Sequence, residues 1–314
     1  MQRPWSTIAL GSLLLISAYS NAGQEGQSSQ PEKSKPPVKM EQRGRILGIG
    51  GVFFKSANRD QMREWYSKNL GLADKGQGVM LPWREHGDPQ KEHVTVWTVF
   101  PTSTKYFDPP LMVNYIVDDM DALLDRLKQE GVKIDAKRMN ESYGRFAWIY
   151  DLDGNKIELW QPLSAGGQEA QSPQPEKSKP PVKTEQRGRV LGIGGVFFKS
   201  ANRDQMREWY STHLGLADKG QGVTLPWREH DDPQKEHVTV WTVFPTSTKY
   251  FDPSPAPFMV NYVVDDMDAL LDRLKQEGVK IDAKRMNESY GRFAWIYDLD
   301  GNKIELWQPL SAKP

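Results

Sequence analysis

Residues 143–165 read YGRFAWIYDLDGNKIELWQPLSA, and residues 290–312 repeat the same letters. Within the stretch, 145–150 and 156–161 are rich in aromatic and β-branched residues, which favour pleated strands. DLDGN between them (151–155) is a tight-turn signal, because Asp, Asn and Gly tolerate the backbone angles that a turn needs. Working outward, LGIGGVFFKSANRDQMREWYS occupies both 47–67 and 191–211. The offset is 144 residues through Asp108 and Asp252, and 147 afterwards, because PSPAPF (253–258) stands where the first copy has PPL (109–111). A period this long, present twice, is a duplicated domain; a solenoid needs more and shorter repeats.

Each copy has the same order of elements. Ile46–Ser56 reads as a strand. In 60–70, Met62, Trp65, Tyr66 and Leu70 recur at helical spacing, and Gly71 closes the helix. Strands are predicted at 78–84, 93–100 and 111–117, with 101–110 as a loop. A helix over 119–131 places Met120, Leu123, Leu124 and Leu127 on one face, and strands follow at 132–134, 145–150 and 156–161. Residues 23–45 and 164–189 are rich in Pro, Ser, Gln, Lys and Glu, too polar to offset the entropy of ordering, and are expected to be disordered linkers.

The chain has 314 residues, with 41 Lys+Arg against 41 Asp+Glu and no cysteine. Zero net charge argues against a nucleic-acid partner, which requires a basic surface. The absence of cysteine excludes disulfides, thiolate chemistry and zinc–thiolate or iron–sulfur sites. At the N-terminus Arg3, the apolar run IALGSLLLIS (8–17) and Ser20-Asn21-Ala22 form a secretory signal peptide pattern (1–22). The run is shorter than the roughly 20 residues that span a bilayer. The expectation is a secreted or periplasmic protein with no membrane association after cleavage.

GIGGVFFKSANRDQMREWYSKNLGL, VNYIVDDMDALLDRLKQEGV and FAWIYDLDGNKIELWQP, in that order, resemble the signature segments of the vicinal oxygen chelate superfamily. That family includes glyoxalase I, bleomycin- and fosfomycin-resistance proteins and extradiol dioxygenases. The resemblance implies an α+β fold with tandem domains at 46–163 and 190–310. Each domain would consist of two βαβββ modules whose mixed sheet curves around a cavity. It also makes the two copies candidates to pair with each other.

Strand alternation nominates the cavity lining. Ile157 and Leu159 should meet the helices, leaving Lys156, Glu158 and Trp160 inward. Likewise Val52 and Phe54 face out, and Gly51, Phe53 and Lys55 face in. With Val94 and Val96 assigned outward, His93, Thr95 and Trp97 face in. The family register puts Met112, Asn114 and Ile116 inward. The ligand-binding candidates are thus Phe53, Lys55, His93, Trp97, Met112, Asn114 and Trp160, with Phe197, Lys199, His237, Trp241, Met259, Asn261 and Trp307 in the second copy. Such a lining suits a small polar-aromatic molecule. A slip of one residue would invert each face.

Metalloenzymes of the family place ligands on the first, fifth and last strands. Carried over, the last matches Glu158 and Glu305, the first falls on Gly51 and Gly195, and the fifth on Met112 and Met259. Glycine has no donor and a thioether is a poor ligand for hard divalent ions. No cofactor is therefore expected. A substitute divalent-metal site would need His93 and Glu158, or His237 and Glu305, with Asn114 or Asn261 as a weak third ligand. The plainer readings make His93 a residue of the cavity rim and pair Glu158 with Lys55 or Lys156. Glu158 and Glu305 are the candidate catalytic residues. The expected function is an exported, metal-free small-molecule-binding module. The alternatives are a metal-dependent lyase or dioxygenase, and a metal-independent isomerase or lyase using those carboxylates. Gly48–Gly51 lies inside a strand and is not a dinucleotide loop. DLDGN has its glycine too early for a calcium loop. Trp65 and Tyr66 are expected in the core, and His86, His213 and His230 at the surface.

Overall fold

The structure, a computed structural model, describes residues 44–74, 76–163, 188–218 and 222–310. The predicted signal peptide and residues 23–43 and 164–187 of the predicted linkers lie outside them.

In the first copy the chain forms β1 (Ile46–Ser56), α1 (Arg59–Leu70), β2 (Val79–Glu85), β3 (Glu92–Pro101), β4 (Leu111–Val117), α2 (Met120–Gln129), β5 (Ile134–Glu141), β6 (Gly144–Tyr150) and β7 (Lys156–Pro162). The second repeats it as β8 (Val190–Ser200), α3 (Arg203–Leu214), β9 (Val223–Glu229), β10 (Glu236–Pro245), β11 (Phe258–Val264), α4 (Met267–Gln276), β12 (Ile281–Glu288), β13 (Gly291–Tyr297) and β14 (Lys303–Pro309). Helix α1 buries Met62, Tyr66 and Leu70, spaced four apart on one face. It ends where Gly71 adopts φ 72° and its N–H reaches the Ser67 carbonyl. Helix α2 starts under a carboxylate cap, Asp119 accepting from the Ala122 N–H at 3.0 Å.

Strand order within a copy is β2-β3-β1-β4-β7-β6-β5. β1 runs parallel to β3 and β4 parallel to β7, while β1 and β4 meet antiparallel at the centre. The edge strand is longer than the predicted 132–134. Its sequence, IDAKRMNE, is largely polar and exposed, so hydrophobic patterning gave it no signal. A register shift between Ile134 and Arg138, with Lys137 inside it, discourages further pairing at this edge.

The sheet has two apolar faces. Val52, Phe54, Tyr115, Ile157 and Leu159 pack with the helices; Phe53, Met112, Ile116, Phe146, Trp148 and Trp160 pack on the opposite, cup-like face. The copies are joined edge to edge by β2 and β9, which pair antiparallel (Trp83 opposite Glu229, Glu85 opposite Trp227) to give one fourteen-stranded sheet. Their helix-side cores merge. The Phe54 and Phe258 ring centroids lie 5.9 Å apart. Tyr66 Oη donates to Asp298 Oδ2, and Tyr210 Oη to Asp151 Oδ2, each at 3.1 Å. The reciprocity is that of a two-fold interface made within one chain.

Candidate functional site

The floor of each cup is one row of residues on adjacent strands: Gly51 on β1, Asn114 on β4, Glu158 on β7 and Trp148 on β6. Glu158 is 3 % exposed. Asn114 Nδ2 donates to its Oε2 at 2.7 Å, and Tyr106 Oη, from the loop after β3, makes a short hydrogen bond to its Oε1. Burial pushes the Glu158 carboxyl above the usual range, while the Tyr106 and Asn114 donors pull it back. Burial and the neighbouring carboxylate together raise the Tyr106 phenol. The second copy repeats this with Tyr250, Asn261 and Glu305.

Aromatic rings build the walls. Tyr106 stacks with Phe100 at 5.8 Å and meets Trp148 edge-on at 6.1 Å. Phe146 stacks on Trp160 at 5.8 Å. Lys137 and Lys156 place their ammonium groups 5.1 and 5.2 Å from the Trp148 ring. Two glycines make the room. A Cβ at Gly50 would lie 2.2 Å from Asn114 Oδ1, and one at Gly144 would lie 2.2 Å from Trp160 Nε1. Asn114 Oδ1 and Trp160 Nε1 are buried without a hydrogen-bond partner among the described residues. An unsatisfied buried polar atom costs about 1–3 kcal/mol.

Phe53, Met112, Ile116 and Trp160 line the cup as expected, with Phe197, Met259, Val263 and Trp307 in the second copy. Asn114 and Asn261 join the carboxylates. Lys55 lies at the loop, donating to the Asp108 carbonyl at 3.0 Å; Lys199 Nζ sits 4.9 Å from the Phe251 ring. His93, His237, Trp97 and Trp241 are corrections. Val94, Val96 and Phe100 pack against the cup cluster, whereas Trp97 packs with Phe54 and Tyr66 under the helices. The pleat carries His93 and Thr95 with Trp97, away from Glu158. His93 instead lies 3.3 Å from Glu85 and beside Trp83, and His237 lies 2.8 Å from Glu229. The alternation was legible but its sign was not, since both faces of this sheet are apolar.

Three further placements differ from expectation. Glu158 bonds Tyr106 and Asn114; Lys55 bonds the loop instead, and Lys156 bonds the Tyr106 carbonyl at 3.2 Å. The β4 residue level with Gly51 and Glu158 is Asn114, while Met112 sits opposite Phe53. His213 is not a free surface histidine: its Nδ1 lies 2.6 Å from Glu130 Oε2 of the first copy. Sequence reasoning missed Tyr106, and left Trp148 open between core and pocket. Only the tertiary fold brings the 101–110 loop back over β7, though its Tyr-Phe pair amid polar residues was a usable signal. DLDGN forms an Asx turn. Asp151 Oδ1 accepts from the Asp153 and Asn155 N–H groups, and its Oδ2 reaches Tyr210 of the other copy.

The residues of the floor do not fit a divalent metal. The row offers Gly51, Asn114 and Glu158, with both carboxylate oxygens engaged by Asn114 and Tyr106, and the nearest histidine of the expected set faces the other side. Among the described residues no group of three or more His, Asp or Glu converges.

The family model for the Glyoxalase/Bleomycin resistance protein/Dioxygenase superfamily matches residues 56–159 and 200–306. Among solved structures, the Mn(II)-bound glyoxalase from Novosphingobium aromaticivorans is similar at TM-score 0.55 and 17 % identity, covering 85 % of this chain and 84 % of that one. A catechol 2,3-dioxygenase is similar at TM-score 0.52 and 14 % identity, covering 86 % and 91 %. A 2,2',3-trihydroxybiphenyl 1,2-dioxygenase from the dibenzofuran-degrading Sphingomonas wittichii strain RW1 follows at 0.51 and 13 %, covering 85 % and 93 %. Identities this low speak for a shared fold. The comparison with curated proteins found no match.

Proposed function

The chain belongs to the Glyoxalase/Bleomycin resistance protein/Dioxygenase superfamily, and from that premise we propose that it is an exported protein that binds a small polar-aromatic molecule in its aromatic cup without a metal. The observation that carries the reading is the buried Glu158 carboxyl, 3 % exposed and held by Asn114 and Tyr106, at the floor of an aromatic-walled cup. A ligand ring would stack on Trp160 or Trp148. Its acceptors would take the Trp160 indole N–H, and a hydroxyl would take the place of the Tyr106 hydroxyl on Glu158. The N-terminal apolar run supports export, in which case the mature chain begins at Gly23.

Intrinsic tryptophan fluorescence of the mature chain, titrated with a panel of hydroxylated benzoates before and after EDTA treatment, tests this. Saturable binding should be insensitive to EDTA and should weaken about tenfold or more in the Glu158→Gln/Glu305→Gln variant, the loss of one charge-assisted hydrogen bond. Binding that vanishes with EDTA and returns with Mn(II), or that ignores the double substitution, would overturn the reading.

A second reading has its own support. A buried carboxyl whose hold on a proton is raised and which shares a hydrogen bond with a phenol can take up and return a proton, which is the equipment of a general acid–base. Metal-independent turnover of a bound compound, lost in the double variant while affinity persists, would favour it.

A further inference from the structure

The two cups have the same floor and different covers. In the first, the loop 102–110 is held by two lysines: Lys55 Nζ on the Asp108 carbonyl at 3.0 Å and Lys156 Nζ on the Tyr106 carbonyl at 3.2 Å. Lys156 also lies 3.5 Å from the Asp135 carboxylate. The ends of both loops, Pro109 to Leu111 in the first copy and Pro257 in the second, border one open cleft of about 450 Å³, solvent included, so the cleft does not tell them apart.

In the second, the longer loop folds on itself. Asp252 N–H donates to the Lys249 carbonyl (3.1 Å), Ser254 N–H to the Phe251 carbonyl (2.9 Å) and Ala256 N–H to Ser254 Oγ (3.2 Å). Ser254, Ala256 and Phe258 are buried. One lysine does the work of two: Lys303 Nζ donates to the Tyr250 and Asp252 carbonyls, each at 3.0 Å, and stands 4.0 Å from Asp282. Lys303 is 6 % exposed, and burial lowers its ammonium below the usual lysine range.

We infer that the cups are not equivalent sites: the Glu158 cup opens by release of Tyr106 and admits ligand, while the Glu305 cup is kept shut by the loop 246–257. The inference rests on the binding reading above for the word ligand, and on loop geometry alone for the difference in opening. In both cups the tyrosine ring fills the space over the carboxyl, so a ligand must displace it. The loop with three fewer internal hydrogen bonds is the one that yields.

Nitration of the intact mature chain by tetranitromethane reads this directly. Trypsin cuts after Lys105 and Lys249, so Tyr106 and Tyr250 begin peptides of different mass. Tyr106 should react at least about fivefold faster than Tyr250, the factor that one net hydrogen bond gives an opening equilibrium. Exchanging the covers, with PPL in place of 253–258 and PSPAPF in place of 109–111, should reverse the order. Equal wild-type rates, or faster reaction at Tyr250, overturn the inference; so does a wild-type ratio that survives the exchange in a folded variant. Nitration needs no ligand, so failure here would leave binding possible in both cups, and failure of the fluorescence titration would leave the opening difference standing.

Discussion

The cup floor is the same in both copies and the seam is not. At the floor nothing moved: Asn114 meets Glu158 at 2.7 Å, and Asn261 meets Glu305 at 2.7 Å. At the seam, Lys68 and Asn69 of α1 have become Thr212 and His213 in α3. In one direction Lys68 pairs with Glu277; in the other, His213 pairs with Glu130. The nitrogen partner has moved by one residue, and each carboxylate at the end of the facing helix keeps one. Arg126 and Arg273 likewise reach the carbonyls of His213 and Asn69. A single exchange in a floor of interlocking buried groups leaves a polar atom unpaired, whereas a partly exposed seam accepts a compensated pair.

The largest effect that can break this comparison is in the shared core. Trp97 and Trp241 are both fully buried. Trp97→Ala and Trp241→Ala should each cost about 3–5 kcal/mol in denaturant unfolding. If one costs far less than the other, the cores are not equivalent despite their matching contacts.

A middle-sized effect concerns the Asx turns that cross between copies. Burial pushes Asp298 up to about 6 and moves Asp151 in the same direction. A carboxyl raised in the folded state binds more protons folded than unfolded. Stability from this group is therefore full below its unfolded value near 4 and is lost as pH rises toward 6, by roughly 3 kcal/mol at most. Asp298→Asn should remove that decline, so its stability relative to wild type should improve between pH 4 and 6; Asp151→Asn should act with the same sign. A flat difference across that range would contradict the assignment.

The smallest effect sharpens the seam. Lys68→Ala and His213→Ala should each change stability by about 0–1 kcal/mol, since both pairs are partly solvated. Thermal unfolding at low and high salt should show the Lys68 contribution shrinking with salt. A loss of several kcal/mol from either would mean that the seam pairs are as unforgiving as the floor.

Most of the fold could be read from the chain. Met62, Tyr66 and Leu70 at helical spacing, Gly71 as a stop and the turn at DLDGN placed their elements within a residue or two of the structure. The edge strand Ile134–Glu141 was largely hidden, because an exposed polar strand carries no apolar period. The site was half legible. Glu158, Phe53 and Trp160 follow from alternation on strands whose other face is plainly helix-covered, and Asn114 from the family register. His93 and Trp97 do not, because β3 is apolar on both sides and alternation fixes a set of residues without saying which side it faces.

By itself the sequence determined that there are two copies, what elements they contain and that one carboxylate per copy is carried on the last strand, since periodicity and repetition are local properties of the chain. Only the tertiary structure decided that Tyr106 and Asn114 occupy that carboxylate, that the copies share one core, and that their covers are held differently. Each of those facts depends on residues 44 to 232 positions apart meeting in space, and hydrophobic pattern does not encode which distant partners will meet.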